Sequence, residues 1–260
     1  MQTRSLVAFN TALDSENKIH DDDVARRFGF SGGLVPGVDV YAYLTWGPVS
    51  TWGRSWLERG RISVRFAVPT YDGDTMTVEW DEPEGRLRNP TGAVVASATA
   101  GMGPAAATVD LARYLDAPLP GPGDRPPASP SSLAVGTVLG TWSVAVDGAS
   151  QSAYRDDVRE ELPIYGTEDL LHPGFVLRAA NRLIAENVVL GPWIHVGSEV
   201  TNLAAVPTTG TLDARGTVTA EYERKGHRFV EVDLLVRLDE VPVARIDHTA
   251  IYLPRQVAEG

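Results

Sequence analysis

The plainest pattern in the chain is a period-two alternation of apolar and polar residues near its end. TLDARGTVTAEYERK and HRFVEVDLLVRLD alternate in this way, with Lys225-Gly226-His227 between them as a hairpin signal, and VPVARIDHTAIYL follows. Alternation of this kind predicts antiparallel strands with one face buried and one wet. Two other stretches, VDVYAYLTW and FVLRAANRLI, are too apolar to lie on a surface and predict helices that something must wrap. A curved antiparallel sheet around such a helix is the simplest arrangement.

The pattern occurs twice. LVPGVDVYAYLTW and LHPGFVLRAANRL both read as Pro-Gly followed by a helix. RISVRFAVPTYDGD and SEVTNLAAVPTTGT both read as a strand entering Val-Pro and then a glycine turn. Pro36 to Pro173 is 137 residues and Pro69 to Pro207 is 138, so two unrelated landmarks keep nearly one spacing. Between the copies, PLPGPGDRPPASP has the composition of a linker. The expected organisation is a first unit over 1–103, a linker over 104–132 and a second unit over 133–260. The expected class is α+β, each unit having an antiparallel sheet around a central helix.

With 260 residues, 43% of them hydrophobic, the chain has an ordinary globular composition. It contains no cysteine, which removes disulfides, thiolate metal sites and cysteine nucleophiles from consideration. A net charge of −11 argues against nucleic acid as a partner. No apolar run is long enough for a membrane span or a signal peptide, so the expectation is a cytoplasmic protein with no membrane partner. Arg26, Arg27, Arg54, Arg59, Arg61 and Arg65 all lie in the first quarter of the chain. They suit either a pocket mouth that receives phosphates, with Arg65 as the chosen contact, or a solvated face.

The candidate chemistry lies in ENKIHDDDVARRFGFSGGLVPG, Glu16 to Gly37. Asn17 and His20 stand three apart, ahead of an acidic run and a glycine-rich entry into the first buried helix. Adjacent carboxylates diverge, so Asp21, Asp22 and Asp23 read as helix-capping residues rather than metal ligands. Gly32-Gly33 lacks the Lys-Ser/Thr of a phosphate loop. No metal and no cofactor are expected. At an offset of 134, His20 falls on Tyr154 and Asn17 on Gln151, so the Asn–His pair exists in one copy only.

The order N-x-x-H, Ala25, Gly29-Phe30, Pro36-Gly37 at a helix start resembles the hydratase motif of the MaoC-like hot-dog family. That family includes (R)-specific enoyl-CoA hydratases and 3-hydroxyacyl thioester dehydratases. The duplication is similar to its double hot-dog members and covers nearly the whole chain outside the linker. The resemblance implies a lyase that hydrates or dehydrates an acyl thioester carried by coenzyme A or an acyl carrier protein. His20 would be the acid/base, Asn17 its orienting partner and Gly37 an oxyanion-binding N–H at a helix start. The helix from Val38 would form the floor of the site, with Tyr41 and Tyr43 as acyl-pocket walls. His172, ahead of the second Pro-Gly, is expected to line the same crevice or a vestigial one. The family pattern places an Asp five residues before the His, where this chain has Ser15, so Ser15 would lie in the pocket. Asp14, or Glu16, is the expected substitute acid. A repurposed pocket for cyclisation or isomerisation, or a non-catalytic acyl-thioester binder, remains open on the sequence. So does a homodimer of the whole chain.

Overall fold

The computed structural model describes residues 1–13, 15–104 and 109–255. The first half runs β1 (Gln2–Val7), α1 (Asp22–Arg27), α2 (Gly37–Trp52), α3 (Arg54–Arg59), β2 (Gly60–Phe66), β3 (Thr75–Asp81), β4 (Glu84–Arg88) and β5 (Val94–Met102). The second half runs β6 (Val138–Val146), α4 (Gly148–Asp157), α5 (Ile164–Thr167), α6 (Pro173–Asn187), β7 (Ile194–Asn202), β8 (Gly210–Arg224), β9 (His227–Leu238) and β10 (Val241–Leu253). All ten strands form one antiparallel sheet in the order β1-β3-β4-β5-β2-β7-β10-β9-β8-β6.

That order carries the repeat. Each half begins with an edge strand and sends its second strand to the middle, where β2 and β7 pair from Arg61 opposite Thr201 to Arg65 opposite Gly197. Smaller features repeat in register. Leu34 bridges Tyr71 and Leu170 bridges Pro207, while Val35 N–H donates to the Thr70 carbonyl and Leu171 N–H to that of Val206. The 225–226 turn is as the sequence predicts, with Lys225 at φ 55° and Gly226 at φ 77°, the left-handed pair that matches strand twist in a tight hairpin.

The two central helices lie against each other beneath the sheet. Their contact is close because Gly174 has no side chain: a Cβ there would stand 2.5 Å from that of Ala42. Helix α2 is buried almost all round, with even Asp39 and Thr45 inaccessible. Helix α6 differs from its expected apolar character. Leu177, Ala180, Leu183 and Ile184 enter the core, while Arg178, Asn181, Arg182 and Ala185 form an i, i+3, i+4, i+7 stripe along a cavity. The segment of linker composition is packed onto the second half. Buried Tyr114 donates to the Asp233 carboxylate at 2.9 Å, and Arg125 donates to the Ala185 carbonyl at 2.8 Å.

Candidate active site

Asn17 and His20 sit where the first half's loop meets the start of β7. Asn17 caps the 3-10 turn Lys18–His20. Its amide is held by the second half, Nδ2 donating to the Trp193 carbonyl at 3.1 Å and Oδ1 accepting from the Trp193 N–H at 3.3 Å. The His20 ring is held at its other edge, Nδ1 lying 2.6 Å from the Leu34 carbonyl. A carbonyl only accepts, so Nδ1 carries the proton and Nε2 presents a lone pair. In that tautomer Nε2 accepts a long hydrogen bond from the Asn17 amide, Nδ2 lying 3.3 Å away, which a reacting water would have to displace or share. Burial pushes the ring below the ordinary histidine value, against the Leu34 hydrogen bond and the charge of Asp39, which pull it up. His20 is therefore a neutral base at pH 7.

Two cavities meet at this ring. One, of about 280 Å³, is mostly apolar and is lined by Ile19, Phe30, Leu34, Val40, Phe66, Val68 and Ile251. The other, of about 410 Å³, is more polar and is lined by Thr11, Ser15, Glu16, Val38, Arg178, Arg182 and Glu186. Asn17, His20, Pro36, Asn181 and Trp193 line both. Gly37 and His195 line the apolar one. Gly37 opens α2, so its N–H belongs to the unpaired first turn, and the helix has no side-chain cap.

Of the residues expected at the site, Asn17, His20 and Gly37 come together. Ser15 and Val38 line the polar cavity, and the Ser15 hydroxyl donates to the Asn17 carbonyl at 3.2 Å. Asp14 lies outside the described residues. Glu16 is engaged by Arg125, at 3.1 and 3.2 Å, which lowers its carboxyl below the usual range. Tyr41 and Tyr43 do not reach either cavity. Both are fully buried in the core, and Val40, one residue ahead of Tyr41, is the α2 side chain that faces the apolar cavity. Arg65 is also elsewhere: it is exposed and lies 3.6 Å from Glu199, beside a separate polar pocket with Glu231 and Asp247. The remaining early arginines do not gather at the mouth, Arg26 pairing with Asp22 and Asp23 and Arg54 with Glu58 and Glu168. His172 is buried away from both cavities, its Nε2 3.2 Å from Glu160 and its Nδ1 accepting the Gly174 N–H.

No family model matches the sequence, and none of the curated proteins does. Similarity appears at the level of structure. A MaoC domain protein of Chloroflexus aurantiacus J-10-fl, assigned as a dehydratase, superposes with a TM-score of 0.61 at 11% identity, covering 97% of this chain and 95% of its own. A MaoC-like dehydratase gives 0.57 at 10% identity, with 97% and 98% covered. A Mycobacterium tuberculosis protein described as having a double hotdog fold gives 0.58 at 16% identity, with 96% and 95% covered. This chain has the double hot-dog fold.

Within this double hot-dog the two units are unequal. Where the first unit has an open junction around His20, the second is filled. Tyr154 packs edge-on against His172 and Phe175, at 5.5 and 5.4 Å between ring centroids, with the Arg178 guanidinium 4.2 Å over its face. The residues missed from sequence are those the second unit contributes to the first unit's site: Trp193, Asn181, Arg178 and Arg182. For Arg178, Asn181 and Arg182 the available signal is their i, i+3, i+4 spacing on α6, which the apolar reading of that helix passed over; Trp193, just ahead of β7, carries none.

His195 stands on β7 beside Gly37. It is 7% exposed, its Nε2 is 2.8 Å from the Ser198 hydroxyl, and its ring stacks on His248 at 4.2 Å. Burial holds His195 far below the ordinary histidine value and His248 down at about 3, so both are neutral. A Cβ on Gly37 would lie 2.8 Å from the His195 Nδ1 and 3.1 Å from its Cβ. The ring is pinned on two sides and cannot yield cheaply. Gly37→Ala is accordingly expected to cost about 1–3 kcal/mol and to shift the start of α2. Thermal unfolding checks it, and a variant as stable as the parent would show the ring is free to move.

Proposed function

We propose that this double hot-dog protein is a hydro-lyase acting on an acyl thioester, adding water to a 2-enoyl group or removing it from a 3-hydroxyacyl group. The observation that carries this reading is the His20 tautomer: the Leu34 carbonyl takes the proton on Nδ1 and leaves Nε2 basic at the junction of the two cavities. The apolar cavity suits the acyl chain. The polar one suits the amide arm of coenzyme A or an acyl carrier protein. The thioester carbonyl would meet the Gly37 N–H at the positive end of α2. In hydration, one water O–H breaks and its proton passes to Nε2. The oxygen bonds C3 and the π electrons move toward the carbonyl. The imidazolium then returns a proton to C2. Structural likeness to MaoC-like dehydratases supports the same class.

The test is a panel of 2-enoyl and 3-hydroxyacyl thioesters of increasing chain length, assayed in both directions. Absence of interconversion across the panel would end the reading. The pH dependence is specific. His20 must be neutral and its value lies below 6.5, so kcat/KM should be level above about pH 6.5 and fall as pH drops through the lowered value. An acid limb centred above 6.5 would contradict it.

A second reading, isomerisation of an unsaturated acyl thioester, is favoured by one feature. Ser15 replaces the expected carboxylate and Glu16 is tied to Arg125. A proton shift between two carbons needs a single base and no water. Conversion of a 3-enoyl to a 2-enoyl thioester, without hydration, would support it.

A further inference from the structure

The apolar cavity starts at His20 and is walled mainly by aliphatic and ring carbon, with Ile19, Val40, Phe66, Val68 and Ile251 facing it from both halves of the chain. Its volume of about 280 Å³ is nearly twice the roughly 150 Å³ of an apolar protein cavity that takes up one benzene ring. At that occupancy it holds about eleven carbon atoms. The reacting carbons stand at its border, beside His20, so most of this room is for the chain beyond them.

The wall also restricts what that chain can carry. Leu34 and Thr70 give their carbonyls to the His20 ring and the Val35 N–H. His195 Nε2 is spent on the Ser198 hydroxyl. His195 Nδ1 and Asn181 Oδ1 have essentially no accessible surface, so neither meets anything held in the cavity. A hydroxyl or carboxylate on the tail would leave water for a wall with few polar atoms to offer. A plain hydrocarbon tail loses nothing by the same step.

Val40 marks the path. It stands three residues into α2 from Gly37, about 4.5 Å along the helix, so a tail whose carbonyl meets the Gly37 N–H runs past it. Its side chain is buried in the wall, and the space in front of it is cavity rather than packed core. A larger residue here takes room from the ligand rather than from its neighbours.

We propose that the site takes unsubstituted medium-chain acyl thioesters, of about eight to twelve carbons, with Val40 setting how much chain it admits. The inference rests on the function proposed above only in taking the ligand to be an acyl thioester.

The experiment measures binding of saturated acyl-CoAs from butyryl to hexadecanoyl, each below its micelle concentration, by tryptophan fluorescence, Trp193 being part of the cavity wall. Affinity should rise about fourfold per methylene as far as decanoyl or dodecanoyl and then level. Levelling at butyryl or hexanoyl, or a rise that continues through hexadecanoyl, overturns the inference. Decanedioyl-CoA, with a carboxylate at its free end, should bind at least about tenfold more weakly than decanoyl-CoA; equal binding also overturns it. Val40→Phe should bind butyryl-CoA within about threefold of wild type and decanoyl-CoA at least about tenfold more weakly, at an unfolding temperature near that of the parent. If the variant is folded and binds decanoyl-CoA as wild type does, Val40 does not set the chain length. Should it fail to fold, the wild-type series decides alone. The two readings fail separately. A wild type with this chain-length profile that hydrates none of the matching 2-enoyl thioesters sinks the hydratase reading and leaves this one, while hydration with no preference among chain lengths sinks this one alone.

Discussion

His20→Ala is expected to lower hydration kcat by about 10²–10⁴-fold, the range that a positioned acid/base contributes, with little change in fold. The size follows from how the ring is held. Nδ1 is committed to the Leu34 carbonyl and cannot exchange roles with Nε2, so one atom does all the proton transfer. His20→Gln should be nearly as inactive, because an amide can occupy the space and even reach Leu34 but cannot accept and return a proton near pH 7. Asn17→Ala should be milder at the chemical step. It should also loosen the site more broadly, since Asn17 fastens the loop to Trp193 as well as lying beside Nε2. The check is single-turnover hydration with both variants, alongside thermal unfolding. Hydration by His20→Ala at near wild-type rate, on any substrate of the panel, would remove His20 from the mechanism.

The parts of this arrangement that could be read in the sequence are those written locally. Strand alternation has period two and needs no partner to be seen, and the Pro-Gly landmarks mark helix starts directly. Asn17 and His20 share one turn, so three positions of spacing suffice to bring them together. The misplacements have equally physical causes. Phe66 and Arg65 are neighbours on β2, and strand neighbours point to opposite faces; Phe66 lines the cavity, so Arg65 is on the outer side. Helix α2 is apolar on every face, leaving no periodic signal to say that Val40 rather than Tyr41 or Tyr43 meets the cavity. His172 begins its helix as Val35-Pro36 precedes the other, but a buried carboxylate, Glu160, draws its ring inward. Trp193 and Asn181 come from the other half of the chain. The contacts that bring them in are the β2–β7 seam and the α2–α6 packing, both of very long sequence separation.

The second large effect is on stability, at the ion pair that joins the two central helices. Asp39 on α2 is fully buried. Arg178 on α6 meets it with Nε at 3.0 Å and an Nη at 2.9 Å, and Thr11 donates its hydroxyl to the same carboxylate at 2.6 Å. The partners differ in one respect that decides the outcome. The Asp39 side chain is 0% exposed, whereas that of Arg178 is 27% exposed and borders the polar cavity. Arg178→Met therefore strands a carboxylate in the core and should cost about 3–5 kcal/mol, on the order of 10 °C in unfolding temperature for a chain of this size. Asp39→Ala leaves a guanidinium with a route to water and should cost distinctly less. The double variant Asp39→Leu/Arg178→Met should be more stable than Arg178→Met alone, because no charge is left unpaired. Thermal unfolding of the parent, the two single variants and the double variant checks this order. If Asp39→Ala proves the more damaging of the two single changes, the pair's desolvated carboxylate is not what the helix interface is built around, and the Thr11 hydroxyl alone suffices to hold it.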